Sequence, residues 1–224
     1  PDGWIWQDIG NYYGAGAGAV NWRENQYDLT LKSSSTIGSP VEVVAVNGEK
    51  PATYFYNELK SAAKGTGDNA YIYLPVGQQE GYLRGTIPID ENKFTISGAV
   101  YDPASYFVSD FGTYFKSQAK TTRLGNNQTG YFTKKITDPV TVLHTHYSPS
   151  LDLINYWFLR RSINLYGEAL VKTFSWQKSG FGETDKGIEI LKNFWKARGI
   201  SSNEINIVDG SGLSPLNRVT AHAQ

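Results

Sequence analysis

Cysteine is missing from all 224 residues, and so is methionine. Without thiols the chain can hold no disulfide framework, no cysteine-ligated metal and no cysteine nucleophile. A thiol-free chain suits an oxidising compartment, where a stray cysteine is a hazard. The missing methionine means that the sequence does not begin at an initiator, and no signal peptide is visible at its head. The expectation is a fragment or a processed product. An excess of one charge is missing too: 21 Lys and Arg balance 21 Asp and Glu. The basic residues are scattered, which argues against a nucleic-acid partner. No apolar run approaches the roughly 18 residues needed to span a bilayer. What is abundant is aromatic side chain, with 6 Trp, 15 Tyr and 10 Phe in a chain that is 40% hydrophobic. That is ample for a packed core and argues against disorder.

The first hundred residues read as β-rich. Asn25 to Lys32 alternates apolar with polar, the period of a half-buried strand. Val41 to Val46 reads as a second strand, closed by the turn pair Asn47-Gly48. Tyr54 to Ala63 is weakly helical. Ala70 to Val76, Tyr82 to Ile89 and Lys93 to Val100 read as further strands. Asp102-Pro103 starts a helix that runs through Lys120, with Pro in its first turn. Thr141 to His144 reads as a short strand, and Ser148-Pro149 caps a helix ending at Arg161. Another helix spans Thr184 to Arg198, with Ile188, Leu191, Phe194 and Trp195 on one face and Gly199 as its stop. Ile205 to Val208 is strand-like.

Several stretches invite a chemical reading. Gly14-Ala-Gly-Ala-Gly18 lacks the preceding strand and following helix of a phosphate cradle, so it reads as a tightly packed loop. His144 and His146 would share one strand face, but no third ligand follows at a convincing spacing, and no metal or cofactor is expected. Asp209-Gly-Ser211-Gly-Leu-Ser214 lacks the spacing of a nucleophile elbow, and its Asp209 and Ser211 read as structural. Arg160-Arg161 could attract an anionic peptide or simply end a solvated helix. The aromatic-rich first part could stack on sugars, though aromatic residues are first of all core material.

The informative stretch is a junction. An apolar helical run from Tyr156 breaks at Ser162-Ile163-Asn164 and resumes toward Leu170. A hydroxyl and a carboxamide two residues apart at such a break can face one solvent pocket. There the hydroxyl can pass a proton, and the amide can donate to and accept from a peptide group.

Three segments occur in order: Ser148-Pro149-Ser150-Leu151, then Arg161-Ser162-Ile163-Asn164-Leu165-Tyr166-Gly167-Glu168-Ala169-Leu170, then Asp209-Gly210-Ser211-Gly212-Leu213-Ser214 with Asn217-Arg218. Together they resemble the class C low-molecular-mass penicillin-binding proteins, the D-alanyl-D-alanine carboxypeptidase/endopeptidases. Gly3-Trp4-Ile5-Trp6 with Asp8, and Phe94 to Gly98, look like segments of that family's inserted subdomains. The resemblance implies a catalytic Ser-x-x-Lys, Ser-x-Asn and Lys-Thr-Gly set. In that set Ser162 would relay a proton to the departing D-alanine, and Asn164 would bind the substrate's acyl-side amide. General acid–base help of this kind is worth about a hundred- to ten-thousand-fold.

The sequence departs from the family in what it omits. Ser61-Ala-Ala-Lys64, Ser117-Gln-Ala-Lys120 and Ser175-Trp-Gln-Lys178 have the Ser-x-x-Lys spacing but sit at the wrong places, and no Lys-Thr-Gly exists. The nucleophile and the carboxylate-binding strand are therefore expected outside this chain, which alone should be inactive. The resemblance implies an α+β architecture. Residues 1–40 and 95–138 would form an outer inserted subdomain, 41–94 an inner β-rich one, and 139–224 part of a β-lactamase/transpeptidase-like domain. The implied partners are peptidoglycan peptides and β-lactams, and the implied location is periplasmic or otherwise outside the cytoplasmic membrane. The competing reading is a non-catalytic peptidoglycan-binding module of the same fold; a β-lactamase fits less well with so long an insertion before Ser-x-Asn.

Overall fold

The computed structural model describes residues 3–47, 54–75, 78, 80–100, 102–118, 139, 141–142 and 144–224. In chain order, a short helix Trp6–Ile9 (α1) precedes strands Gln26–Lys32 (β1), Glu42–Asn47 (β2), Tyr54–Asn57 (β3), Lys60–Ala62 (β4), Asn69–Tyr73 (β5), Glu80–Pro88 (β6) and Phe94–Ala99 (β7). Helices Pro103–Gln118 (α2), Leu151–Arg161 (α3), Asn164–Ser179 (α4) and Thr184–Lys196 (α5) follow, with Ile205–Asn206 (β8) and Arg218–Val219 (β9) closing the chain. The architecture is α+β, as expected, and no helix among the described residues is long and apolar enough to cross a membrane.

The alternation in β1 does what its period requires. Tyr27, Leu29 and Leu31 point inward and are buried, while the residues between them face out. β1 is the centre of an antiparallel sheet in the order β2-β1-β7, with an irregularity between Thr30 and Leu31 that shifts the β2 register. A second sheet forms around β6. β3 and then β4 pair with it in parallel, and β5 pairs with it antiparallel. Leu59, Ile72, Leu74, Leu83 and Ile87 from this sheet meet Tyr27, Leu29, Leu31, Val41 and Ile96 in one core. Each such aliphatic side chain contributes about 1.5–3 kcal/mol relative to staying in water, before chain entropy is set against it.

Three local expectations are corrected. Residues 54–63 form two strands rather than a helix, because Tyr54, Phe55 and Tyr56 find partners along β6, and aromatic residues fit a pleated surface. Thr141, Val142 and His144 are irregular and exposed instead of a strand, with Leu143 outside the described residues. α3 begins after Ser150, whose side chain makes no cap bond, and the Ser148 hydroxyl donates to the Pro149 carbonyl. The other strands and helices read from the sequence lie where expected, give or take two or three residues, except that the helix resuming at Asn164 runs on to Ser179, and α1 and β9 carried no expectation. For α2, Asp102 caps the helix by accepting from the Ala104 and Ser105 N–H groups, both at 3.1 Å.

The N-terminal segment positions the site. Asn11 accepts from the Ile72 N–H at 3.0 Å, fastening this segment to β5. From there it runs along α4, where the Lys172 ammonium donates to the Ala17 carbonyl at 2.5 Å.

Candidate active site

α3 ends because Ser162 turns left-handed, with φ 53° and ψ 47°. The Ser162 and Ile163 N–H groups both return to the Phe158 carbonyl, which satisfies one of the helix's last acceptors. Ile163 is extended, and its carbonyl accepts from the Tyr166 N–H at 3.0 Å as α4 begins. A serine in this region costs on the order of 1–3 kcal/mol, a strain that the surroundings must hold in place.

The break opens Ser162 and Asn164 onto one pocket of about 520 Å³. Trp157 and Arg161 from the end of α3, Tyr166 from α4, and Tyr12, Tyr13, Glu24 and Gln26 from the N-terminal segment complete its walls. The Asn164 amide donates to the Tyr13 carbonyl at 2.8 Å. Its own carbonyl oxygen, like the exposed Ser162 hydroxyl, makes no hydrogen bond among the described residues, so both are available to a ligand.

The opposite wall is strained as well. Arg23, Glu24 and Asn25 are consecutive left-handed residues, with φ of 50°, 55° and 54°. Asn25, fully buried, secures the turn by donating to the Gly16 carbonyl at 3.0 Å and to the Asn21 side chain at 2.9 Å. Asp110 of α2 accepts from the Trp22 indole at 2.6 Å and pairs with Arg23 at 3.1 Å. The turn presents Glu24 to the Tyr166 phenol, which donates to it at 3.0 Å. Burial first, and then this hydrogen bond, raises the Tyr166 pKa above its ordinary value.

On α4, Glu168 is fully buried. Its Oε1 accepts from the Gly210 and Ser211 N–H groups, both at 2.9 Å. This carboxylate clamps the turn from Asp209 to Asn217 onto α4. The backbones touch there: a Cβ on Gly210 would lie 2.2 Å from the Gly167 carbonyl oxygen. Asp209 accepts four bonds, from the Trp4 indole at 2.9 Å, the Ser214 N–H at 2.7 Å, and the Gly212 N–H and Asn217 amide at 2.8 Å each. The Ser211 hydroxyl accepts from the Leu213 N–H at 3.3 Å. Both residues are engaged in holding the turn.

None of the Ser-x-x-Lys serines lines the pocket. Ser175 is buried, donating to the Phe181 carbonyl at 2.7 Å and accepting from the Glu183 N–H at 3.2 Å. Ser61 is buried on β4. Ser117 donates to the Tyr114 carbonyl at 2.6 Å, and its companion Lys120 lies outside the described residues. Sequence reasoning missed Tyr12, Tyr13, Glu24, Trp157 and Tyr166 as pocket residues. Only Trp157 and Tyr166 carried a signal, their proximity to the junction.

The profile of the D-Ala-D-Ala carboxypeptidase 3 (S13) family matches residues 1–223. The D-alanyl-D-alanine carboxypeptidase of Actinomadura sp. (strain R39) is 29% identical over 165 residues, which are 74% of this chain and 30% of that protein. Penicillin binding protein 4 from Haemophilus influenzae shares the fold with a TM-score of 0.74 at 19% identity, over 99% of this chain and 48% of that one. The same protein complexed with a novel β-lactam gives 0.65 at 18% identity, over 92% and 46%. The chain thus spans less than half the length of the relatives it matches.

Proposed function

Because the chain belongs to the D-Ala-D-Ala carboxypeptidase 3 (S13) family, we propose that it is the Ser-x-Asn-bearing part of a serine-type D-Ala-D-Ala carboxypeptidase. The activity extends to D-Ala cross-links if the protein is also an endopeptidase. The substrate class is peptidoglycan stem peptides, β-lactams acylate the same serine, and the location is extracytoplasmic. The observation that carries the reading is the pairing of a Ser162 hydroxyl with an Asn164 carbonyl, both without a hydrogen-bond partner among the described residues, at one pocket on a strained helix break.

In this reading a nucleophilic serine outside the chain attacks the carbonyl of the penultimate D-alanine. The C–N bond breaks, and Ser162 relays the serine's proton to the departing amine. Asn164 accepts a hydrogen bond from the acyl-side amide through its free carbonyl and so holds the peptide in register. The hydrogen bond that its amide NH2 donates to the Tyr13 carbonyl fixes the orientation of the Asn164 carbonyl, which is what precise positioning requires. Water then releases the acyl group. Serine is a poor nucleophile at neutral pH without a base, so the activating lysine is indispensable.

The exposed apolar faces support a larger catalytic domain. Leu151, Leu153, Tyr156 and Leu159 of α3, with Trp176, Phe194 and Trp195, lie exposed. Exposed apolar side chains on these helices are what further protein packed against them would cover. The division into outer (1–40, 95–138), inner (41–94) and catalytic (139–224) portions is part of the same proposal.

Fluorescent penicillin tests it. The complete protein should be labelled covalently and lose about a hundredfold or more in acylation rate on Ser162→Ala or Asn164→Ala. The 224-residue chain alone should remain unlabelled. Labelling of the isolated chain, or full labelling of the complete Ser162→Ala protein, would sink the reading.

A further inference from the structure

Strand register divides the aromatic residues of the second sheet into two sets. Phe55 turns inward and stacks on Tyr27, with ring centroids 6.2 Å apart. The outer face is different. Tyr56 lies opposite Tyr82, and Tyr82 opposite Tyr73, on three neighbouring strands, so the three side chains leave the same side of the sheet. Tyr54 meets Tyr56 edge-on at 5.0 Å, and Tyr56 stacks on Tyr82 at 5.1 Å. The Arg84 guanidinium lies over Tyr82 at 4.7 Å and Tyr73 at 5.8 Å, and Trp6 of α1 follows at 6.3 Å from Tyr73. A continuous row therefore crosses the strands from Tyr54 to Trp6.

The row is open to solvent: Tyr54 is 61% exposed, Tyr56 44%, Tyr82 38% and Trp6 49%. A sheet face left in water ordinarily carries polar residues, and an ordered line of exposed rings calls for an occupant. Its chemistry narrows the choice. The cation of the row, Arg84, is already neutralised by Glu58, with contacts of 2.6 and 3.4 Å. An anionic polymer therefore gains little. A protein partner would favour an apolar centre depleted of charge, but here an ion pair sits in the middle. The match is a neutral chain of rings with apolar C–H faces and hydroxyl rims. Pyranose units stack on such aromatic faces while their hydroxyls bond to phenol, carboxylate and guanidinium. The Glu80 charge raises the Tyr56 pKa.

We propose that the Tyr54–Tyr56–Tyr82–Arg84–Tyr73–Trp6 row binds a glycan chain. Resting on the carboxypeptidase reading above, the glycan is the β-1,4-linked amino-sugar strand that carries the stem peptides. The row would hold the polymer while its peptides are processed.

The test uses the 224-residue chain. It is titrated with chitohexaose, followed by tryptophan fluorescence, and sedimented with chitin, a neutral, peptide-free β-1,4-linked amino-sugar polymer. Saturable binding is expected in both formats. Tyr56→Ala and Tyr82→Ala should each weaken it about tenfold, and Tyr56→Phe much less. Tyr147→Ala, at a tyrosine 82% exposed and outside the row, should bind as the parent does. Circular dichroism melts identify variants that have kept the fold, and Tyr54→Ala, at the exposed end of the row, serves if Tyr56→Ala or Tyr82→Ala has not. Three results would overturn the proposal: no binding to peptide-free glycan, binding that survives the double Tyr56→Ala/Tyr82→Ala change, or self-association that these changes abolish. Penicillin labelling of the complete protein is read separately. Labelling without glycan binding removes only this proposal, and glycan binding without labelling removes only the carboxypeptidase reading.

Discussion

Replacing Glu168 with alanine should detach the Asp209–Asn217 turn from α4, and the size of the effect follows from its contacts. One carboxylate oxygen accepts two backbone N–H bonds at 2.9 Å in a fully buried site. Hydrogen bonds to a charged acceptor contribute about 1.5–3 kcal/mol each, so the pair is worth roughly 3–6 kcal/mol. Against this stands the desolvation of the carboxylate, whose Oε2 has no partner among the described residues. Removing the side chain relieves that penalty but leaves two N–H groups facing a cavity. A net loss of about 2–4 kcal/mol is expected for Glu168→Ala. Glu168→Gln keeps an acceptor for both N–H groups and should lose about half as much. Urea denaturation measures the stabilities, and hydrogen exchange reads the Gly210 and Ser211 amides directly. Those amides should lose protection in the alanine variant and keep it in the glutamine variant. An alanine variant with the parent's urea midpoint and protected amides would refute the clamp.

Other outcomes follow from the same geometry. Ser162→Gly should raise stability by up to about 1 kcal/mol by relieving the left-handed strain, net of glycine's entropy, whereas Ser162→Ala should not. If the two variants melt alike, the strain argument fails. Gly210→Ala drives a Cβ to 2.2 Å from the Gly167 carbonyl oxygen. It should cost about 3 kcal/mol, and an unchanged thermal melt would deny the close approach. Tyr27 is buried with its hydroxyl unpartnered among the described residues, so Tyr27→Phe should stabilise by about 1 kcal/mol. Burial also holds the Tyr27 phenol protonated well above its ordinary pKa of 10.0. Its contribution is complete below that value. Above it the unfolded chain loses a proton that the folded chain keeps, so stability falls by about 1.4 kcal/mol per pH unit. Urea midpoints through that alkaline range should fall less steeply in Tyr27→Phe, and parallel slopes would count against a buried phenol.

Legibility followed the range of the interactions. The β1 period was readable because Tyr27, Leu29 and Leu31 carry it within one strand. The junction at Ser162 was readable because a helix break shows locally, and α2 because Asp102 and Pro103 punctuate its start. Residues 54–62 misled because their periodicity is ambiguous alone, and only pairing with β6 makes them strands. Glu24 gave no signal. Its place in the pocket depends on a left-handed turn held by Asn25 and on contacts between Asp110 of α2, Trp22 and Arg23.

By itself the sequence determined the exclusion of thiol chemistry and a hydroxyl and a carboxamide at one helix break, since composition and short-range periodicity encode these, and its motifs carried the α+β class through a family resemblance. Tertiary structure decided what surrounds that break. The Trp4 indole reaches Asp209 across a separation of 205 residues, and Tyr13 reaches Asn164 across 151. It also sorted the aromatic residues, sending Tyr27 and Phe55 into the core and Tyr54, Tyr56 and Tyr82 to the outer face. A pleated strand exposes alternate residues to opposite sides, and only the packing of the sheets decides which side is dry.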